Sequence, residues 1–265
     1  MSAYRRGDAD RALAGYADGY GEMRADRSHY WSIPVGDSDA LAAANERLAS
    51  VRMEAQRQVL HVLAREGYAF ATTSDSGQVV QRESGRASPL DIHRLWFLRK
   101  IEDTWLVTAQ IAGYRDSASI GETDGGSHHD AIQVTLQIEA QAMSARDHSA
   151  VVSLYDENFM GVDGRLVTTP ATWKITFSGR EEFDAWLSAR FRFGSYSVER
   201  TVLHAATDAS EQQAAALTVD DISYRHDGGS VPHRKRRYVA WLLRRSGTTW
   251  HITHAILDFG KPSPP

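Results

Sequence analysis

The sequence predicts an α+β protein that contains two tandem copies of one fold. Similar stretches recur along the chain in the same order, and the offset between them drifts only from 139 to 145 residues. Within each copy, segments with helical spacing come first, and segments that alternate apolar and polar residues follow. Helices followed by a run of strands are typical of α+β folds, in which the helices pack on one face of an antiparallel sheet.

The repeat depends on four pairs of stretches that share aromatic or apolar positions. These pairs are 7–20 with 146–159, 31–41 with 173–183, 57–61 with 200–204, and 95–111 with 240–256. The last pair aligns Trp105 with Trp250. We therefore expect one domain over residues 1–120 and a second over 129–262, joined by a linker rich in Gly, Ser and Asp.

Three helices are predicted in the second copy. Residues 131–145 have helical character and lead the copy. Asp147 is placed to cap a short amphipathic helix that includes Tyr155, and residues 178–191 form the third helix, with Ser178 as its cap. The first copy has almost nothing before its matching segment, so its leading helix is expected to be shortened or lost.

Strands account for the rest of the second copy. They alternate apolar and polar residues and contain many β-branched and aromatic side chains. One strand precedes the third helix, and four follow it as an antiparallel meander. The predicted strands cover 172–177, 197–207, 214–225, 236–245 and 248–259.

This order of elements resembles the SnoaL-like branch of the nuclear transport factor 2-like superfamily. The stretches that carry the resemblance are SGREEFDAWL, RTVLH, AAALTVDDISY and GTTWHITHAILDF. It implies two cone-shaped domains, each a curved antiparallel sheet wrapped around N-terminal helices, which together form a pseudo-dimer. It also implies an apolar pocket, and many members are polyketide cyclases, dehydratases, ketosteroid isomerase-like enzymes or epoxide hydrolases, whereas others only bind or dimerise.

The last two strands are predicted to pair through a two-residue turn at Ser246 and Gly247. One face of this hairpin is mostly apolar and is expected to face the helices, while the opposite face is expected to meet the other copy or another chain. In the first copy, Arg94 opposes Ala109 in the same construction. The predicted pairs are Leu243 with Trp250, Trp241 with Ile252, Val239 with His254, and Arg237 with Ile256.

His254 is the predicted catalytic residue, because an imidazole on an apolar inner face can act as a general acid or base near neutral pH. Tyr155 and Asp220 are its predicted assistants. The alternative is a core histidine whose two nitrogens are satisfied by neighbours. A shared metal ion with His251 is excluded, because an odd separation along a strand sends the two rings to opposite faces.

The predicted substrate-binding side chains are Trp186, Trp241, Arg237, His204 and Trp250. The tryptophans are either a stacking wall for a ligand or core residues. Arg237 either holds an anionic oxygen or pairs with an acid such as Asp258. His204 matches His61 in the first copy, which favours a shared structural role.

Composition limits the remaining functions. The 265 residues are 42% hydrophobic and 24% charged, with a formal net charge of −4 and no cysteine. Disulfides, thiolate zinc sites and cysteine nucleophiles are therefore excluded. The charge balance gives no reason to expect nucleic acid or a membrane as partner, and the basic run 233–237 is interpreted as a solvated strand edge. Without an apolar leader or a spanning segment, a cytoplasmic protein is expected.

Together, these features predict a cofactor-independent enzyme of the cyclase, dehydratase or isomerase type. It would use acid–base chemistry on a polyketide-like or other apolar oxygenated metabolite of secondary metabolism, with the pocket in the second copy and the first copy as support. No metal and no cofactor are expected. A non-catalytic binding or scaffold protein, an epoxide hydrolase-like cyclase, and a homodimer of the chain stay open as alternatives.

Overall fold

The computed structural model describes residues 14–25, 31–32, 49–113, 130–164, 173–207, 211–229 and 231–259. The start of the first copy, where the leading helix is expected to be shortened or lost, and the linker between the copies lie outside these residues.

The described part of the chain contains twelve strands and three helices in an order that repeats. The first copy consists of β1 (Tyr16–Ala25), β2 (Trp31–Ser32), β3 (Val51–Arg65), β4 (Tyr68–Gln81), β5 (Ala87–Ile101) and β6 (Thr104–Ala112). The second consists of α1 (Asp130–Ala145), α2 (His148–Ser153), β7 (Tyr155–Asp163), β8 (Lys174–Ser178), α3 (Arg180–Phe193), β9 (Gly194–Thr207), β10 (Gln213–His226), β11 (His233–Ser246) and β12 (Thr249–Leu257).

The strands form two sheets with the same topology. Sheet A has the order β2-β1-β6-β5-β4-β3, and sheet B has the order β8-β7-β12-β11-β10-β9. Four strands of each sheet form the predicted antiparallel meander, but β1 runs parallel to β6 and β7 runs parallel to β12. The α+β class is therefore confirmed, whereas the all-antiparallel sheet is wrong. Each sheet is mixed because a fifth strand joins the last strand of the meander in the parallel sense.

The helices of the second copy begin close to their predicted positions. Asp147 caps α2 by accepting a hydrogen bond from the backbone N–H of Ala150 at 3.1 Å, as predicted. Tyr155 does not belong to this helix and instead starts β7. The residue that caps α3 is Gly179, at a φ of 111° that favours glycine, rather than Ser178.

A bulge occurs at the same place in the last strand of each sheet. Thr108 in β6 and Thr253 in β12 are extra residues that have no partner on the neighbouring strand. The Thr108 hydroxyl donates to the carbonyl of Phe97 at 3.3 Å, and the Thr253 hydroxyl donates to that of Leu242 at 3.1 Å. An extra residue reverses the faces of every residue beyond it, because side chains alternate along a strand.

None of the four predicted pairs of the final hairpin forms, because the turn lies one residue later than predicted and a bulge interrupts β12. The turn is at Gly247 and Thr248, since Ser246 pairs with Thr249. As far as Ile252, side chains keep their predicted faces, but beyond Thr253 they exchange. His254 pairs with Leu242 and lies on the outer face of sheet B, away from the helices. In sheet A, likewise, Arg94 opposes Ala112 rather than Ala109.

The outer faces of the two sheets contact each other, as predicted. The ring of Phe97 lies 5.0 Å from that of His254, and Phe70 lies 6.3 Å from Trp173. At the edge of this contact, a guanidinium nitrogen of Arg65 lies 2.5 Å from a carboxylate oxygen of Glu182. Aromatic packing across the interface stabilises the association of the sheets. In the described part of the chain, none of the helices is long and apolar enough to cross a membrane.

Candidate functional site

A buried ionic network lies on the inner face of sheet B, beneath α1. Its centre is Asp220 in β10, which pairs with Arg200 of β9 on one side and Arg237 of β11 on the other. Arg200 holds both carboxylate oxygens of Asp220 at 2.8 Å, in a bidentate geometry. Asp220 is fully buried, so this pairing keeps its charge compensated in the core.

Helix α1 contributes the second acid of the network, and strand β7 contributes a tyrosine that binds it. Glu139 in α1 accepts a hydrogen bond from Arg200 at 2.8 Å through one oxygen, and from the Tyr155 hydroxyl at 2.9 Å through the other. Arg200 also donates to the carbonyl of Leu136 at 2.9 Å. The guanidinium therefore joins the helix to the sheet, and all of these groups are buried.

Thr218 in β10 and Trp241 in β11 complete the network on the sheet. The indole N–H of Trp241 donates to the Thr218 hydroxyl at 2.9 Å, and this hydroxyl donates to Asp220 at 2.9 Å. The guanidinium of Arg200 lies 4.5 Å from the centre of the Trp241 ring, in a cation–π contact. We call the six residues Glu139, Tyr155, Arg200, Thr218, Asp220 and Trp241 the Asp220 network.

The charges of the network fix the protonation states of its members. Burial opposes the ionisation of Asp220, but the charge and hydrogen bonds of Arg200 outweigh it, so the pKa of Asp220 lies below its ordinary value. Burial, together with the charge of Glu139, raises the pKa of Tyr155 well above its ordinary value. Asp220 is therefore an anion, and Tyr155 is a neutral hydrogen-bond donor.

The first copy repeats the base of this network on the inner face of sheet A. Arg57 holds both oxygens of Asp75, at 2.6 Å and 2.7 Å, and its guanidinium lies 4.5 Å from the Trp96 ring centre. Trp96 donates to Thr73 at 2.9 Å. A second arginine, Arg94, also donates to Asp75 at 2.9 Å, and its side chain is buried.

The second arginine distinguishes the two copies. Arg94 opposes Thr73 in sheet A, whereas the same position in sheet B holds Val239. The second arginine of sheet B is Arg237, two residues nearer the start of its strand, and its closest approach to Asp220 is 3.9 Å. This separation is too long for a hydrogen bond. The Arg237 Nε is buried without a hydrogen-bond partner among the described residues.

Arg237 therefore lies on the inner face, as the sequence predicted. It does not pair with Asp258, the acid that the alternative interpretation gave it. Asp258 forms an ion pair with Lys235. The side chain of Arg237 is 17% exposed, although its Nε is buried. A cation with unused donors, beside a neutral tyrosine and paired carboxylates, is suited to hold an anionic oxygen.

Aromatic side chains from α3 and β10 lie around Arg190. Trp186 stacks on Phe183 at 5.8 Å. Arg190 lies 5.4 Å from the Trp186 ring centre and 4.8 Å from that of Tyr224. Trp186 is thus packed into this group and only partly buried, which leaves both of its predicted roles open.

His254 is held between the two sheets rather than on the inner face. Its Nε2 lies 3.2 Å from the Thr108 hydroxyl, and its Nδ1 lies 3.0 Å from the Thr253 hydroxyl. Burial lowers the pKa of His254 to about 4, so the ring is neutral at pH 7. A neutral imidazole has one N–H, so the ring can donate to only one of the two threonine hydroxyls, each of which has a single proton and already donates it to a backbone carbonyl.

The predicted assistants of His254 are therefore not its neighbours. Tyr155 and Asp220 belong to the Asp220 network on the inner face, while His254 belongs to the contact between the sheets. The inner-face placement of His254 is wrong because of the bulge at Thr253. His251 precedes the bulge and keeps its predicted outer face, so the two histidines lie on the same face and their predicted opposite placement is also wrong.

His204 and Trp250 both lie away from the Asp220 network, among residues of the fold. His204 pairs with Leu217, beyond a bulge that skips Leu203, and this turns it to the outer face, away from Asp220. His61 follows the same kind of bulge in β3. The predicted role of His204 in substrate binding stays a prediction, and the shared position of His204 and His61 is confirmed. Trp250 is only 4% exposed and lies within the core.

Sequence reasoning missed Arg200, Glu139 and Thr218. A signal for two of them is present, because Arg200 lies in the repeated stretch 200–204, and T-x-D recurs as Thr218 to Asp220. Glu139 lies outside the four repeated stretches, so the repeat does not reveal it. Among the described residues, no group of three or more His, Asp or Glu side chains is arranged to hold a metal ion.

No protein-family model and no curated protein matches this sequence. Solved structures similar to the chain include a ketosteroid isomerase-like protein from Erwinia carotovora atroseptica SCRI1043, with 18% identity over 42% of this chain and 84% of that chain, and a TM-score of 0.36. ActVI-ORFA from Streptomyces coelicolor is 11% identical over 48% of this chain and 92% of its own, with a TM-score of 0.37. An NTF-2 like protein from Shewanella oneidensis MR-1 is 16% identical over 48% and 96%, with a TM-score of 0.38.

Each of these proteins corresponds over most of its length to about half of this chain. Their names agree with the resemblance seen in the sequence. Likenesses this distant assign no activity, however, so the chemistry of the chain has to be argued from its own residues.

Proposed function

We propose that the second copy is a cofactor-independent enzyme that removes and returns a proton next to a carbonyl group, as cyclases, dehydratases and isomerases do. The observation that carries the proposal is Arg237, whose guanidinium faces the inner side of sheet B with an unused Nε. Proton removal next to a carbonyl places negative charge on the carbonyl oxygen. A fixed cation stabilises that charge, and hence the transition state.

Tyr155 and Glu139 are the proposed proton carriers. The Tyr155 hydroxyl already donates to Glu139 at 2.9 Å. A substrate proton that moves to the Tyr155 oxygen can therefore be matched by transfer of the tyrosine proton to Glu139, and the reverse steps return it. Because burial raises the pKa of Tyr155, a free tyrosinate is disfavoured, and the two transfers have to be coupled.

Arg200 and Asp220 position this pair rather than react. Arg200 binds Glu139 at 2.8 Å and is itself fixed by two bonds to Asp220. The carboxylate of Glu139 is therefore held facing Tyr155.

The first test uses para-nitrophenol, whose anion resembles an enolate and absorbs visible light. We expect wild-type protein to bind the anion and shift its ionisation to lower pH. Arg237→Met should remove the shift. Arg236→Met is the matched control, because Arg236 is the adjacent arginine, is 57% exposed and pairs with Asp221. Absence of binding by the wild type, or equal binding by Arg237→Met, contradicts the proposal.

The second test measures proton transfer itself. We expect the wild type to accelerate exchange of the acidic protons of β-tetralone with deuterated water, followed by NMR. Tyr155→Phe should abolish exchange yet still bind para-nitrophenol, and Arg237→Met should reduce exchange by roughly 100-fold, the usual effect of losing one oxyanion donor. Exchange that survives in Tyr155→Phe would contradict the proton-carrying role.

A second candidate function is binding without turnover. It is favoured by the pairing of both carboxylates of the Asp220 network with Arg200, since these hydrogen bonds already occupy the oxygens that would have to accept a proton. Binding of para-nitrophenol that depends on Arg237, without exchange of β-tetralone, would support this alternative.

A further inference from the structure

A second polar cavity lies between the two sheets, separate from the Asp220 network. Its volume is about 80 Å³. One buried water needs about 10–15 Å³ on such a measure, so the cavity has room for a group of about five non-hydrogen atoms. Ligand sites are frequent at interfaces between domains.

The walls of the cavity come from equivalent positions of the two copies. The cavity therefore lies where the two copies meet through equivalent residues. The equivalent pairs that line it are Tyr68 and Gln213, Arg99 and Arg244, Thr108 and Thr253, and Ala109 and His254.

At one position of the lining, the second copy has a charged residue and the first copy does not. Arg244 donates to Asp156 at 2.7 Å, and Asp156 also lines the cavity. The residue of the first copy that matches Asp156 is Ala17, so Arg99 lacks the corresponding carboxylate. Arg99 has no ion-pair partner in the part of the chain that the structure describes. Two guanidinium groups and one carboxylate thus leave the lining with one excess positive charge.

Neutral donors surround this excess charge. Tyr68 keeps its hydroxyl proton, because burial raises its pKa and Asp156 adds to this effect, against the opposing charge of Arg99. The side-chain amides of Asn158 and Gln213 and the hydroxyl of Thr108 also line the cavity. Guanidinium, amide and hydroxyl donors are the groups that bind oxyanions in proteins.

We propose that the cavity between the sheets binds a small oxyanion or short carboxylate, held by Arg99 and Arg244. Bidentate hydrogen bonding by arginine matches the geometry of both classes. The Arg244 side chain is 42% exposed, which gives an anion a route from solvent. Bound there, the anion lies across the contact between the copies and stabilises the association of the two sheets.

Calorimetric titration and thermal unfolding test the proposal, with inorganic phosphate and acetate as separate probes at an ionic strength held constant with sodium chloride. We expect saturable binding and a saturable rise in Tm with at least one probe, and the stronger probe identifies the class of ligand. Arg99→Gln should weaken binding at least tenfold. Arg52→Gln is the control, because Arg52 lies far from this cavity, pairs with Glu54 and is 55% exposed.

An NMR measurement on the wild type locates the bound anion without relying on a variant. The His254 imidazole lines the cavity, and its signals are identified by their loss in His254→Ala. Binding should shift these signals and raise the pH at which the ring titrates, because a neighbouring anion favours the imidazolium. Binding that is unsaturable, that persists unchanged in Arg99→Gln, or that leaves the His254 signals in place overturns the proposal.

Discussion

The sharpest prediction concerns the pH dependence of stability that comes from His254. In the unfolded chain its pKa is 6.5, and burial lowers it to about 4 in the folded protein. Between these two values the unfolded chain binds a proton that the folded protein does not. The contribution of the buried, neutral His254 to the free energy of unfolding is therefore fully present above pH 6.5 and is lost as the pH is lowered towards 4.

The size of the effect follows from the shift. At about 1.36 kcal/mol per pKa unit, the full loss is about 3.4 kcal/mol, and about 2 kcal/mol of it is reached near pH 5. His254→Ala gives this position the residue of the first copy, Ala109, and removes the proton-binding group. We expect the variant to be less stable near pH 7, because the contacts with Phe97 and Thr108 are lost, but to lose about 2 kcal/mol less between pH 7 and pH 5.

Urea unfolding near pH 7 and near pH 5 provides the assay. Other titrating groups act in both proteins, so their contributions cancel when the two differences are compared. His251→Ala is the control, since His251 is only partly buried on the same strand. An unchanged pH dependence in His254→Ala would refute the placement of a neutral ring between the sheets.

Three further substitutions test the packing of the inner face and the edge of the interface, each by urea unfolding. Asp220→Asn should cost about 3 kcal/mol or more, because it leaves the buried charge of Arg200 without one of its two acids. Trp241→Phe should cost about 1 to 2 kcal/mol through the lost indole hydrogen bond. Arg65→Ala should cost less than about 1 kcal/mol, since its ion pair with Glu182 is partly exposed.

The sequence allowed the repeat to be predicted, because tryptophans at fixed offsets and alternating strands survive in both copies. Trp96 and Trp241 occupy equivalent places, each donating to a threonine on the neighbouring strand. The antiparallel meander followed from the same patterns. The parallel strands β1 and β7 were not predicted, because pairing between distant segments leaves no local periodicity.

The site was predicted less well, and a single residue explains much of the difference. The bulge at Thr253 has no strong local signal, yet it moves His254 from the inner face to the contact between the sheets. The clue is present only by comparison, since Thr108 makes the same bulge in the first copy. In both copies the hydroxyl of the extra threonine reaches a carbonyl of the neighbouring strand, a contact that the alternation of a single strand does not reveal.

The two copies use the same core and differ in their second arginine. Arg94 is consumed by Asp75 in the first copy, whereas Arg237 stops 3.9 Å short of Asp220 in the second. Both copies therefore have a second arginine near the buried aspartate, but only in the second copy is this arginine not hydrogen-bonded to it. Chemistry is therefore expected in the second copy, with support from the first.

A crystal structure of the protein with bound para-nitrophenol tests this central claim most directly. We predict that the phenolate oxygen lies within hydrogen-bond distance of the Arg237 guanidinium, on the inner face of sheet B above the Asp220 network. A phenolate bound in the first copy, or in the second copy without contact to Arg237, would contradict the account.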